Sequence, residues 1–465
     1  MFEKFKKNKE VMNILNKLNS NTSTGYIVGG AVRDILLGLE PNDIDFATNR
    51  NYEEVKELFS EFKCNETGKA FGVLRIKTSN DEYEIAKYRQ DITSDEVEFV
   101  NNIKGDLSRR DFTINAMAWN DNEGLVDLFN GKRDIYNKVL RFVGNAEERI
   151  KEDPLRMLRA VRFIAKTGFI LDEESFNAIQ NNGYLINTIT KERIHDEFTK
   201  LMKLPNYIKS IDVMKETGLL SEIIPEIKVQ YNYNQNNPYH SLDLWTHTRS
   251  VVDNCKNSDY ITRLSALFHD IGKPSTQSID EITGFSHYYK HETVGAKMTG
   301  DILDRLKFTN EEKYNITALV ENHMVFHRSE ADKTIRKMIH NIGKDNTRRL
   351  AELSFADDEG KFKKNRHNEL LLKVNSIIDT FNVPKVSDLK LNGYELKEMG
   401  YEGLEIGKVK KYLLSRILWM KAYQMSVKNF LKFYIMIMKT MILSKKIFFW
   451  RIIYNIWSNN FQTQN

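Results

Sequence analysis

The chain has very little cysteine and no long apolar run. Only two cysteines, Cys64 and Cys255, occur in 465 residues, which argues against a disulfide framework and predicts a reduced, cytoplasmic protein. The N-terminus lacks the apolar core of a signal peptide, and no apolar run reaches the roughly 18 residues that a membrane helix needs. We therefore expect neither export nor a membrane span.

Proline is also scarce, with seven in the whole chain, which favours long arrays of helices. Strand patterns are confined to the N-terminal part, and the length exceeds what one core serves, so we expect several domains. The pattern predicts an α+β protein with a head containing a small mixed sheet at 1–145, an all-α neck and body at 146–230, a second, all-α catalytic-looking module at 231–360, C-terminal helices at 361–412 and an atypical tail at 413–465.

Acidic residues are missing from the last 60 positions, which follow Glu405 and contain 11 Lys or Arg. The rest of the chain holds 58 basic and 64 acidic residues, so the overall charge of +5 comes entirely from the tail. Overall charge therefore does not predict an RNA-binding surface, which particular arginines would have to build. The tail itself fits a basic membrane-surface or RNA-contacting helix, or a frame-shifted or read-through end, and we favour the second interpretation.

Two carboxylates one residue apart, Asp43 and Asp45, are the first informative feature that is present. We expect a strand from Asp43 to Ala47, on which alternate residues share a face. Both carboxylates would then project into one site and hold Mg²⁺ through oxygen. An isolated Asp-x-Asp is also common in loops, so the pair needs support from its surroundings.

That support comes from the segment just upstream. Gly29 and Gly30 follow a predicted strand, and their bare backbone N–H groups can approach phosphates closely. Arg33 is placed to act as a charged clamp. Together with the two carboxylates, this segment suggests Mg²⁺-dependent nucleotidyl transfer.

Two further clusters join arginine to aspartate. Arg110 and Asp111 lie in Arg-Arg-Asp-Phe, which by itself also fits a solvated helix start with the aspartate as N-cap. Downstream, a helix is expected in which arginines recur every third residue and so share one broad face, with leucines left to face the core. Such basic faces are usually just solvated. The residues of this second cluster are Asp153, Arg156, Arg159 and Arg162.

The strings around these residues resemble the signatures of the DNA polymerase beta-like nucleotidyltransferases and, within them, of the class II tRNA nucleotidyltransferase and poly(A) polymerase family. The resemblance implies a polymerase beta-like head, Mg²⁺ as cofactor, a tRNA 3′ end with CTP and ATP as substrates, and no obligate protein partner. It implies catalytic roles for Asp43, Asp45 and Asp111, and nucleotide binding by Gly29, Gly30, Arg33, Arg110, Asp153, Arg156, Arg159 and Arg162.

The chemistry of base selection can be argued from the bases. Cytosine and adenine each present an exocyclic amine beside a ring-nitrogen acceptor, so Asp153 can accept from either base while Arg156 donates. Uracil and guanine present a carbonyl beside an N–H instead, so an acceptor would face Asp153 and a donor would face Arg156. Each mismatch would cost roughly 1 to 3 kcal/mol. Arg159 and Arg162 would then lie along the triphosphate.

One departure from the family concerns the loop before Arg-Arg-Asp. The loop that runs from Tyr88 through Ile92 to Ser94 is about six residues shorter than the corresponding loop of CCA-adding members. A deletion of this size can also be neutral, because loops tolerate changes in length. A short loop here resembles the CC-adding enzymes. Full CCA addition and CC-only addition therefore both stay open, followed by poly(A) polymerase and by a regulatory RNA-binding protein with a vestigial transferase half.

Histidines and carboxylates concentrate in the second half of the chain, at spacings typical of metal ligands drawn from separate helices. An isolated His-Asp pair is more often a structural hydrogen bond, but the whole set resembles an HD-domain phosphohydrolase. Imidazoles with carboxylates suit Mn²⁺, Fe²⁺, Ni²⁺, Co²⁺ or Zn²⁺ better than Mg²⁺ alone. The predicted ligands are His247, His269, Asp270, His291, His323 and Asp357.

Overall fold

The structure, a computed structural model, describes residues 2–78, 81–91, 97–237, 242–358, 366–381, 394, 397, 402–408 and 410. The N-terminal part alternates helices and strands. Its helices are α1 (Glu3–Lys7), α2 (Lys9–Leu18), α3 (Gly30–Leu36), α4 (Tyr52–Leu58), α5 (Ile103–Ser108) and α6 (Gly131–Asn137). Its strands are β1 (Gly25–Val28), β2 (Asp45–Thr48), β3 (Lys63–Asn65), β4 (Val73–Lys77), β5 (Glu82–Lys87), β6 (Arg89–Asp91), β7 (Val97–Phe99), β8 (Met117–Asn120), β9 (Gly124–Asp127) and β10 (Val139–Leu140).

Seven of these strands form one mixed sheet in the order β3-β4-β5-β2-β1-β8-β9. β1 runs antiparallel to β2 and β8, whereas β2 and β5 run parallel. Side chains alternate across the sheet: Ile27 joins the core that contains Val11, and Val28 joins the core that contains Tyr88. Both faces of the sheet are covered, which fixes the register of the strands that carry the site.

The expected strand from Asp43 to Ala47 is wrong at its start. β2 begins at Asp45, which pairs with Val28, and the antiparallel register leaves no partner for earlier residues because β1 ends there and the chain turns into α3. Asp43 therefore lies just ahead of the strand. Strand alternation therefore does not place the two carboxylates on one face, as we expected, although the charge of Asp43 still acts on Asp45.

The middle of the chain is largely helical, as predicted. Its elements are α7 (Ala146–Glu152), α8 (Leu155–Thr167), β11 (Ile170–Leu171), α9 (Glu173–Asn182), α10 (Lys191–Met202), α11 (Tyr207–Glu216) and α12 (Leu219–Ile223). Leu158 and Val161 of α8 are fully buried, which confirms the predicted apolar face. α8 ends at Gly168, whose left-handed φ of +71° is typical of a helix C-cap.

The remaining described helices form the second module. They are α13 (Leu244–Asn254), α14 (Tyr260–Phe268), α15 (Lys273–Thr276), α16 (His291–Arg305), α17 (Asn310–Asn322), α18 (Val325–Arg328), α19 (Asp332–Ile342), α20 (Lys344–Asp358) and α21 (Arg366–Thr380), with a hairpin of β12 (Gln277–Ile279) and β13 (Ser286–Tyr288). One apolar core continues from Phe112 through the neck to Phe381. Among the described helices, none has the length and apolar character needed to cross a membrane.

Candidate transferase site and candidate metal centre

The turn after β1 places a glycine against an arginine of the second cluster. Gly29 has a φ of +68°, which favours glycine, and a Cβ at this position would lie 2.6 Å from Nη1 of Arg110. Asp106 is fully buried and accepts hydrogen bonds from Nε and Nη2 of Arg110 at 3.3 and 2.9 Å. The structure thus brings two predicted nucleotide-binding residues, far apart in the sequence, into contact.

Two other carboxylates act electrostatically on Asp45 at the start of β2. Asp45 lies opposite Glu84 of β5 in the parallel register. Partial desolvation raises the pKa of Asp45 to about 6, and the charges of Glu84 and Asp43 add to the rise while Arg110 opposes it. A cation between these oxygens would relieve the repulsion, and Mg²⁺ prefers oxygen donors. The residues present therefore fit a magnesium site.

Arg33 is a buried brace rather than an exposed clamp. Its side chain is 5% exposed, Nε donates to Oδ1 of Asp34 at 2.8 Å, and Nη1 donates to Oδ1 of Asn115. The guanidinium lies 5.3 Å from the ring centre of Phe163. These contacts fasten α3 to the segment after Asp111 and leave Arg33 facing the protein interior.

Asp111 is buried at the centre of a polar chain that leads to α8. Its Oδ1 accepts from Nδ2 of Asn115 at 2.9 Å, and its Oδ2 accepts from Nε of Arg159 at 3.0 Å. Burial opposes ionisation, but the charge of Arg159 and these hydrogen bonds hold the pKa of Asp111 below its ordinary value. The alternative of a solvated helix start is wrong, since α5 ends before this segment and Asp111 is 8% exposed.

The arginines of α8 differ in what they contact. Arg159 is paired with Asp111, and Arg162 donates through Nε to Oε2 of Glu197 on α10. Both side chains retain some solvent exposure, at 36% and 18%. Arg159 and Arg162 therefore form a partly exposed basic face on α8, as the sequence predicted.

The predicted base-reading pair already has protein partners. Arg156 is buried; it donates to Oε2 of Glu152 and to the backbone carbonyls of Arg149 and Arg109 at 3.0 and 3.2 Å. These three hydrogen bonds fix the guanidinium of Arg156 between α7 and the end of α5. Asp153 accepts a hydrogen bond from Nη2 of Arg193 on α10.

The six predicted ligands of the second module do converge, and they form two adjacent groups. Their nitrogen and oxygen atoms lie within 4.8 Å of one another in each group. Asp270 is shared: Oδ2 faces His269 at 3.1 Å and His247 at 3.4 Å, whereas Oδ1 faces His291 at 3.4 Å and His323 at 3.8 Å. The groups are His247, His269 and Asp357, and Asp270, His291 and His323.

Electrostatics keep the carboxylates of this centre ionised. Burial opposes the charge of Asp270, but His269, Lys273 and hydrogen bonds from the histidines hold its pKa well below the usual range. Burial and neighbouring histidines lower the pKa of His323 to about 3, so it stays neutral, with Nδ1 bonded to the carbonyl of Val320 at 2.7 Å and Nε2 turned inward. A transition metal requires ionised carboxylates and neutral imidazoles; burial opposes the charge of His247, but the carboxylates raise its pKa, so metal binding there would displace a proton.

Sequence reasoning missed several residues of these sites. The clearest signal was available for Lys273, which directly follows His-Asp-Ile-Gly and lies 2.7 Å from Asp270. The other missed residues depend on contacts between distant segments. They are Glu84, Asn115, Arg193 and His327, and His327 lies 3.0 Å from Asp357. The shortened loop from Ile92 to Ser94 and the tail at 413–465 lie outside the described residues.

Comparison with protein families gives three matches in order along the chain. Residues 25–141 match the poly(A) polymerase head domain, residues 168–231 match the probable RNA- and SrmB-binding site of polymerase A, and residues 239–359 match the HD domain. The chain thus carries a head domain of the poly(A) polymerase family, which the sequence motifs predicted, together with an HD domain. These matches agree with the α+β fold described above.

Relatives within that family are CCA-adding enzymes. The chain is 41% identical over 217 residues to the CCA-adding enzyme of Ligilactobacillus salivarius, covering 45% of this chain and 53% of that protein. It is 41% identical over 223 residues to the enzyme of Lactobacillus helveticus, covering 47% and 55%. The matched segment therefore spans about half the length of these curated relatives.

Solved structures extend the likeness in fold over most of the chain. The Bacillus stearothermophilus CCA-adding enzyme in complex with CTP has a TM-score of 0.65 at 24% identity, covering 91% of this chain and 94% of that chain. A CCA-adding enzyme in complex with ATP has a TM-score of 0.56 at 22% identity, covering 88% of each chain. At this level of identity the comparison shows the fold.

Proposed function

We propose that the protein is a tRNA nucleotidyltransferase that adds C and A to tRNA 3′ ends from CTP and ATP without a nucleic-acid template. The observation that carries the proposal is the position of Asp45, opposite Glu84 in the sheet and within electrostatic reach of Asp43 and Arg110, with Arg110 held beside Gly29. The relatives named CCA-adding enzyme and the order of the three matched domains support it. A tRNA substrate and two free cysteines agree with a cytoplasmic location.

In the proposed reaction, the 3′-oxygen of the RNA forms a bond to the α-phosphorus of the nucleotide while the bond to pyrophosphate breaks in line. Asp43 and Asp45 would hold Mg²⁺, with Glu84 as a third oxygen donor. Mg²⁺ bound there would lower the pKa of the attacking hydroxyl and offset charge on the attacking and leaving oxygens. Arg110 lies where it can contact the nucleotide, and no covalent intermediate with the protein is required.

The remaining residues would position the nucleotide. Arg159 and Arg162 are exposed enough to contact the triphosphate, and their ties to Asp111 and Glu197 orient them. Arg33 and Asp111 act through Asn115, which joins them in one hydrogen-bonded chain. Base selection is assigned to Asp153 and Arg156, by accepting from and donating to the Watson–Crick edge of C or A.

A second activity is favoured by the position of Asp270. A carboxylate with one oxygen turned to each of two ligand groups is suited to two transition-metal ions, drawn from Mn, Ni, Co, Fe or Zn. Such ions would activate water against a phosphomonoester or cyclic phosphate. Lys273, with its ammonium beside Asp270, would contribute positive charge near the phosphate.

The deciding experiment incubates the purified protein with tRNA lacking its 3′ end and with each nucleoside triphosphate separately. CTP followed by ATP incorporation supports CCA addition, and use of CTP alone identifies CC addition. Unlimited use of ATP identifies a poly(A) polymerase. No incorporation of any nucleotide would reject the transferase proposal and favour the regulatory RNA-binding alternative.

A further inference from the structure

The carboxylate assigned to base selection is held by an arginine from another helix. Nη2 of Arg193 donates to both oxygens of Asp153, at 3.3 Å to Oδ1 and 3.0 Å to Oδ2. Oδ1 also accepts from the backbone N–H of Leu155 at the start of α8. The carboxylate is thus oriented from two sides, by α8 itself and by α10.

Each carboxylate oxygen offers two acceptor directions, so these bonds do not exhaust the acceptor capacity of Asp153. A single nitrogen shared between the two oxygens fixes the plane of the carboxylate and leaves acceptor directions for an incoming amine. The Asp153 side chain is 19% exposed, which agrees with an open edge. Arg193 can therefore act on base selection without contacting the base.

The helix that carries Arg193 is firmly placed. Ile194, Phe198 and Leu201 of α10 are buried. Glu197, also on α10, accepts a hydrogen bond from Arg162 of α8. On its other side, His195 packs against Phe308 of the second module at 4.3 Å between ring centres. Arg193 therefore projects from a rigid support, which is what a positioning residue requires.

We propose that Arg193 is a positioning residue for base selection: it holds Asp153 in the orientation that accepts from the exocyclic amine of C or A. Without it, Asp153 can rotate toward water, which weakens the contact with a matching base. The same rotation relieves the clash of acceptors when uracil or guanine binds. Removal of Arg193 should therefore weaken correct binding and relax discrimination together. This inference rests on the proposed transferase function.

The test compares R193Q, R193K and wild type in steady-state incorporation of CTP and UTP into tRNA lacking its 3′ end. For R193Q we expect the KM for CTP to rise and the ratio of kcat/KM for CTP over UTP to fall, each by about two- to fivefold, the effect of losing an ion pair whose arginine is 44% exposed. The kcat for CTP should stay within about twofold, because the metal-binding carboxylates are untouched. R193K keeps a single donor nitrogen and should recover most of the discrimination.

Lys200→Ala is the matched control, since it removes one exposed positive charge from the same helix, and its nearest carboxylate oxygen lies 3.9 Å away. Its kinetics should equal those of wild type. Unchanged CTP-over-UTP discrimination in R193Q would overturn the inference, as would a fall in kcat with unchanged KM, which indicates a merely structural role. A wild-type protein that incorporates no nucleotide would instead reject the transferase function on which the inference rests.

Discussion

Asp45 and Glu84 lie directly opposite each other on two parallel strands that are far apart in the sequence. Desolvation and the negative charges of Glu84 and Asp43 together raise the pKa of Asp45 to about 6. A site that is electrostatically unfavourable for the free protein is one that a divalent cation stabilises. The Mg²⁺ requirement of the proposed transferase can therefore be tested by substituting these carboxylates and by varying the pH.

Removal of one carboxylate should stop transfer but spare the second module. We expect Asp43→Ala to lower nucleotide incorporation by about 10³-fold or more, since charge stabilisation at the reacting phosphate depends on the metal ligands. Incorporation assays and hydrolysis of a phosphomonoester should be measured on the same preparation. Parallel loss of both activities would contradict the separation of the two sites.

Mg²⁺ binding should weaken as the pH falls below about 6, where Asp45 becomes protonated. Because a raised carboxylate pKa makes the ionised form costly in the metal-free fold, Mg²⁺ should raise the melting temperature more at pH 8 than at pH 5. The Mg²⁺ concentration for half-maximal activity should increase about tenfold per pH unit below that point. In Asp45→Asn this pH dependence of thermal stabilisation should disappear, and its persistence would exclude Asp45 as its source.

The shared carboxylate of the second module predicts a metal stoichiometry. Wild type should bind two transition-metal ions, His247→Ala and His291→Ala one each, and Asp270→Asn almost none, because Asp270 serves both ligand groups. Elemental analysis of protein loaded with Mn²⁺ gives these numbers. His287, which is half-exposed and belongs to neither group, supplies the control His287→Ala. A stoichiometry of one in wild type would contradict a two-metal centre.

A glycine of the same centre should tolerate no side chain. A Cβ on Gly272 would lie 2.3 Å from the carbonyl oxygen of His291 and 2.6 Å from the backbone nitrogen of Gly295, and neither backbone atom can yield alone. Gly272→Ala should therefore displace the start of α16 and lower metal content. Gly300→Ala, in the interior of α16, meets Lys313 at 3.5 Å and Thr317 at 3.7 Å, which are ordinary contacts, and should be neutral or stabilising by up to about 1 kcal/mol. Equal metal content in both variants would count against this packing argument.

The basic face of α8 shows how far local pattern reasoning reaches. The spacing of Arg156, Arg159 and Arg162 predicts one helical face, and the helix and its buried leucines are confirmed. The spacing does not show that Arg156 donates to the carbonyl of Arg109, or that Asp153 is held by Arg193. Those contacts join segments whose separation in sequence carries no periodic signal.

The sequence by itself determined the helices and the strand patterns of the N-terminal part, and it predicted the residue types for nucleotide and metal binding, because capping, periodicity and donor chemistry are local properties. The tertiary structure alone decided that β2 begins at Asp45, that Glu84 joins the carboxylates and that Asp270 divides its oxygens between two ligand groups. Each of these depends on strand register or on helix packing, which bring together atoms from distant parts of the chain. Which groups share a site is therefore a property of the folded protein.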